Sequence, residues 1–192
     1  MALIPSLPEP AELADVFRRF PKGVRPLLEV HDTLLRGPSD LSVAERELVA
    51  AHVSVLNGCA FCAGAHTIIA KTFGVKPDLL EALRNDEPHP DLDERLTALL
   101  DYVAKLTRTP SRMSQDDADR VLAAGWSEEA LYDAVAVCAL FNFMNRIVEG
   151  TGVTTTAAIA AAQLERARSI QQASATPYME FGRRIGVIPG DQ

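Results

Sequence analysis

The chain has 192 residues, room for one good-sized domain with a real core and a tail. Its 26 acidic and 19 basic side chains leave a net charge of −7, which argues against nucleic acid as a partner because phosphate binding needs a basic face. Aromatic residues are only 6%, and no long apolar run lacks a charge or an amide. Closely packed helices are therefore expected, and a membrane span is not.

Residues 1–10 hold Pro5, Pro8 and Pro10 and read as an extended arm. They have neither the cationic nor the apolar segment of a secretory signal. Three cysteines with a single C-x-x-C pair suit a reducing cytosol, so a cytoplasmic protein is expected. Helices are predicted over 11–19 and 23–36, separated by Pro21 and Gly23. On the second, His31 lies beside Glu29 and Asp32 and reads as part of a solvated helix face. Gly37-Pro38 then breaks the chain.

The next helix, 43–56, opens on a capping box formed by Ser42 and Glu45 and is apolar nearly all round, which marks it as buried. A charge buried there needs a partner. Glu47 shares a face with Ala51 and Ser54, and its carboxylate can reach an imidazole or water on the next helix. His52 projects to the other side and reads as structural. Asn57-Gly58 is a turn signal that ends this helix. It leaves Cys59 at the mouth of a helix predicted over 59–73, which Gly74 closes.

On that helix Cys59, Cys62 and His66 fall within about 60° of one another at 100° per residue. Helical side chains lean toward the N-terminus, so the imidazole can approach Cys62. Cα atoms three apart lie roughly 5 Å from each other, inside the range that a disulfide tolerates. Both thiols sit in the first turn, where orphan N–H groups and the macrodipole favour a thiolate. Cys59, nearer the start, is expected to be the more exposed. The combination reads as a redox dithiol beside a base. Two other readings stand beside it: a zinc site using the two thiols and the imidazole, and a pair of inert core cysteines. Ala63, Ile69, Ala70 and Phe73 would wall a small apolar pocket suited to an organic substrate.

Beyond Gly74, helices are predicted over 77–84, 92–107, 114–123 (capped by Ser114) and 127–149. On the last, Cys138, Asn142 and Asn145 share a face; the amides could serve the reaction or helix packing, and Cys138 reads as a core residue. An alanine-rich helix over 154–172 could meet a partner subunit, and 173–192 reads as an irregular tail. The runs that end in Phe73-Gly74-Val75 and Thr151-Gly152-Val153 are faintly alike, although the second has no dithiol.

The spacing Glu47-x11-Cys59-x2-Cys62-x3-His66 resembles that of the AhpD-like, carboxymuconolactone decarboxylase-related superfamily, in particular its peroxidase-related alkylhydroperoxidase members. The likeness is close over 42–75 and looser at Gly125-Trp126-Ser127 and at Phe141-Asn142-Phe143-Met144-Asn145-Arg146. Phe61 departs from it, since the best-known AhpD proteins carry histidine there. The resemblance implies an all-α fold, a compact antiparallel helical bundle spanning 1–192 as a single domain. It also implies a thiol-dependent peroxidase that reduces hydroperoxides, with Cys62, Cys59, His66 and Glu47 as its catalytic residues. The partners implied are a lipoylated or thioredoxin-like dithiol reductant and further copies of the chain, in a trimer or hexamer. No metal and no haem, flavin or nicotinamide cofactor is expected. Disulfide exchange and a non-catalytic redox-sensing subunit are the alternatives. Lactone decarboxylation has no evident use for a dithiol.

Overall fold

The structure, a computed structural model, describes residues 1–85, 87–154 and 174–190. Among these the chain forms nine α-helices and one 3-10 turn, with no strand and one isolated bridge, Ala11 to Val153. The protein is all-α. Its residues group into two compact units, Ser39–Asn145, and Met1–Pro38 with Arg146–Gln192.

The larger unit is built on a helical hairpin, α3 (Val43–Leu56) and α4 (Ala60–Thr72). The predicted capping box starts α3: the Glu45 N–H donates to Ser42 Oγ at 3.2 Å, and the Ser42 N–H donates to Glu45 Oε2 at 2.7 Å. At its other end the Gly58 N–H reaches Val55 O (3.0 Å) and the Cys59 N–H reaches Ser54 O (2.9 Å). This is the paired back-bonding of a Schellman stop, and Gly58 takes the left-handed φ of 69° that it requires. Cys59 is at once the last residue of that stop and the N-cap of α4, where its carbonyl receives the Ala63 N–H at 2.9 Å. The dithiol thus begins on the turn, with no slack between the helices. Gly74 (φ 98°) closes α4 in the same way, with the Val75 N–H on Ala70 O. Val153 repeats that bond to Val148 O, so the two Gly-Val closes share a helix stop.

Around the hairpin stand α5 (Pro77–Asn85), α6 (Glu94–Arg108), α7 (Gln115–Ala123) and the start of α8 (Glu128–Thr151). Asp117 completes a capping box with Ser114 and also takes Lys105 Nζ at 2.6 Å, joining α7 to α6. Lys105, then Ser114, hold its carboxyl well below the usual carboxylate range. The side chain of α3 is buried at Leu48, Val49, Ala50 and Val53, as its apolar circumference predicts. By length and composition α8 could cross a membrane, the one described helix that could. Its Asn142 and Asn145 instead make interhelical hydrogen bonds with Asn57, the use that a core helix has for amides.

The smaller unit holds α1 (Leu13–Arg19), α2 (Val24–Arg36) and α9 (Pro177–Arg184). Here two expectations are corrected. Part of the predicted irregular tail is the helix α9, which Pro177 starts at a position where no N–H is needed. The Asp32 carboxylate caps it from a distance in sequence, accepting the N–H groups of Tyr178 (2.9 Å) and Met179 (2.8 Å). Burial pushes that carboxyl up, against the pull of the two N–H groups. His31 is only 4% exposed, not solvated, because the Tyr178 ring of α9 covers it at 5.0 Å. The predicted helix over 154–172 lies, apart from Thr154, outside the described residues.

The hairpin makes two opposite predictions for glycine. Gly58→Ala forces a Cβ into the left-handed region and should lower stability by about 1–2 kcal/mol. Gly64 lies inside α4 with nothing within 4 Å of an added Cβ. Gly64→Ala should raise stability by about 0.5–1 kcal/mol. Urea midpoints measured at constant slope read both changes.

Candidate active site

The hairpin brings Glu47 and His66 together. Glu47 sits in the second turn of α3 and has no exposed surface, and His66 is 7% exposed on α4. Their side chains meet at 2.6 Å, His66 Nδ1 to Glu47 Oε2. An ionised Glu47 can only accept, so Nδ1 carries the proton and Nε2 is left as the basic nitrogen. Phe141 of α8 stands edge-on to the imidazole, ring centres 4.3 Å apart at 78°, and holds the ring from the side. With Glu47 ionised, these contacts set the tautomer as well as the orientation of the histidine.

Cys62 lies one turn before His66 in α4, the i to i+4 relation that puts side chains in contact. It also occupies the third helical position, within reach of the orphan N–H groups that stabilise a thiolate. Cys59 departs from expectation. It was to be the more exposed sulfur, yet its exposure is 0% and that of Cys62 is 4%. As the shared residue of two helix ends, it is drawn into the hairpin rather than left at its mouth. Among the described residues no three His, Cys, Asp or Glu side chains gather as a metal ion would require.

Cys138 is a core residue, 1% exposed, with Thr107 Oγ1 3.3 Å from its sulfur. Burial pushes its thiol up, outweighing the hydrogen bonds from Thr107 and Asn142. A pocket of about 200 Å³ opens between the start of α3 and the end of α4, lined by Leu48, Phe73, Val75, Leu79 and Leu96 among others. Of the four residues predicted as walls only Phe73 lines it; Ala63, Ile69 and Ala70 are buried in packing. Neither cysteine nor His66 borders it.

Two contributors escaped the sequence. Phe141 read only as an apolar residue of a core helix, and Asn57 only as a turn former. The faint signal was the run from Phe141 to Arg146, whose resemblance to the superfamily carried no assigned role.

Residues 21–105 match the carboxymuconolactone decarboxylase family. A peroxidase-related protein of Silicibacter sp. TM1040 superposes with a TM-score of 0.71 at 28% identity, over 77% of this chain and 78% of that one. Together these matches support an AhpD-like, carboxymuconolactone decarboxylase superfamily assignment. The alkylhydroperoxidase AhpD core of a peroxidase-related protein from Ralstonia eutropha JMP134 shares the fold, with a TM-score of 0.70 at 23% identity over 76% and 77% of the two chains. YdfG of Bacillus subtilis (strain 168) is 26% identical over 127 residues, 66% of this chain and 85% of its own.

Cys138 stands apart from the dithiol, on α8 rather than the hairpin and with its thiol pushed up by burial, which sets a pattern of reactivity. After mild peroxide treatment of the folded protein, peptide mass mapping should find Cys59 bridged to Cys62 and Cys138 still a thiol. Alkylation of Cys138 should require unfolding. A bridge from Cys138 to either partner contradicts the arrangement.

Proposed function

We propose that this superfamily member is a thiol-dependent peroxidase that reduces organic hydroperoxides through a Cys59–Cys62 dithiol cycle. The observation that carries the reading is the buried 2.6 Å contact of Glu47 with His66, on the hairpin that also bears both cysteines. A base oriented by a carboxylate, one helical turn from a thiol, is an arrangement for making a thiolate.

In the cycle, His66 Nε2 takes the Cys62 proton, and Glu47 stabilises the imidazolium that results. The thiolate attacks the terminal peroxide oxygen and the O–O bond breaks. The alkoxide leaves as an alcohol with the proton returned by His66, and Cys62 becomes a sulfenic acid. The Cys59 sulfur then attacks Cys62, an S–S bond forms, and water leaves. A second dithiol from outside reduces the disulfide and is itself oxidised. The burial of both cysteine residues, 0% and 4% exposed, suits a small peroxide better than a protein disulfide as oxidant. For the same reason a slender lipoyl arm suits the reductive step better than a broad thioredoxin face. Tyr132 and Phe143, exposed on α8, supply apolar surface for a homo-oligomer in the cytoplasm, a trimer or hexamer.

The variants separate the roles. His66→Ala should slow peroxide consumption by about 10²-fold and move its pH dependence upward, since the thiol must then ionise unaided. Glu47→Gln should act in the same direction with a smaller loss. Cys59→Ser should still give a trappable sulfenate at Cys62, whereas Cys62→Ser should react far more slowly. Wild-type rates from pH 6 to 8 in both relay variants contradict the relay, and the opposite serine pattern exchanges the two sulfur roles.

A further inference from the structure

The peroxidase cycle leaves one buried feature unused, a chain of amides beside the turn. Asn57 Nδ2 donates to Asn145 Oδ1 at 2.9 Å and to Asn142 Oδ1 at 3.2 Å. Asn145 Nδ2 donates in turn to Ser54 Oγ at 3.1 Å, and Ser54 Oγ to Ala50 O at 2.8 Å. Asn142 Nδ2 continues the chain to Cys138 O (3.0 Å) and to Thr107 Oγ1 (3.4 Å). The amides therefore tie the hairpin turn to α8, and through Thr107 to α6.

Which atoms Asn145 grips is informative. Ser54 and Asn57 are the residue three before the cap and the cap itself of the stop that ends α3. The last residue of that stop is Cys59, whose N–H is bonded to Ser54 O. One amide, 2% exposed, thus holds two residues of the helix stop that places the Cys59 backbone. Apolar contacts could pack α8 on α3 without the desolvation that buried amides incur. A satisfied polar network adds a single defined register instead. The register matters here because Gly58, in the middle of the loop, has no Cβ to restrict its rotation.

We infer that Asn57 and Asn145 are positioning residues that hold Cys59 in line with Cys62, setting the rate of disulfide formation and the stability of the disulfide. The inference rests on the dithiol cycle proposed above and concerns its second step alone. In that step the Cys59 sulfur displaces the sulfenic oxygen of Cys62: the S–O bond breaks, the S–S bond forms, and the oxygen leaves as water. Two thiols held in register have a high effective concentration toward each other, and loosening one lowers it. Attack on peroxide depends on Cys62, His66 and Glu47 and does not feel the change.

The test uses the full chain, wild type against Asn57→Ala and Asn145→Ala, with Val121→Ala as a control. Val121 is fully buried in α7 and touches none of the amides' hydrogen bonds. Two quantities are read: capture of the Cys62 sulfenate by a dimedone-type trap in single turnover with an organic hydroperoxide, and the dithiol–disulfide equilibrium in glutathione buffers. The amide variants should form the sulfenate at the wild-type rate but resolve it more slowly, giving more trapped product. Their disulfide should be about tenfold less favoured, a rise in potential of about 30 mV. Val121→Ala should lose stability and change neither reading. Asn57 lies at a helix end and is only half buried, so Asn57→Ala decides the matter alone if Asn145→Ala does not fold. Wild-type resolution and potential in Asn57→Ala, or the same shifts in Val121→Ala, overturn the inference. A wild type that forms the bridge in glutathione but not with peroxide removes the peroxidase reading only, and the potentials still decide the positioning role.

Discussion

The structure of the larger unit depends on one buried polar contact, Glu47 to His66 at 2.6 Å. A carboxylate with no exposed surface is tolerable only where its charge is met by donors, and replacing one partner of such a pair typically costs several kcal/mol. Meeting that requirement sets the separation and rotation of α3 against α4. Small residues at Ala51 and Ser54, on the Glu47 side of α3, allow the helices to come close enough. The turn is as short as a Schellman stop permits, which prevents the register from drifting. Phe141 then completes the confinement of the ring from α8.

The same constraint separates tasks among neighbouring residues. His66 is fixed by a charge, Cys62 by its place in a regular helix, and Cys59 by a turn held from outside through amides. Regular helix geometry gives Cys62 and His66 a relation that does not depend on the rest of the chain. Cys59, on irregular backbone, has no such guarantee, and it is there that α8 contributes Asn145. Cys138 lies at the far end of the amide chain with its thiol pushed up by burial, away from the dithiol of the hairpin.

Much of the hairpin was legible in the sequence because its signals are local. The Ser42–Glu45 box, the Asn57-Gly58 stop and Gly74 each act within one turn of helix, so α3 runs over the predicted 43–56 and α4 differs by one residue at each end. The pairing of Glu47 with His66 was also legible, since a buried acid on one helix of a tight hairpin has few places to turn. What failed to show was set by distant segments. His31 reads as solvated until α9 covers it, and α9 itself is stabilised by Asp32, far away in sequence. The burial of Cys59 was missed for a different reason: the position belongs to two helix ends, and a projection of one helix cannot show that.

The measurement that bears most directly on the central claim is stopped-flow oxidation of the reduced protein by a series of organic hydroperoxides, run beside a protein disulfide as a competing oxidant. A paired base and thiolate at buried sulfurs predicts rapid oxidation by the hydroperoxides, one disulfide per chain, and slow reaction with the protein disulfide. Rapid exchange with the protein disulfide and sluggish reaction with every hydroperoxide would contradict it.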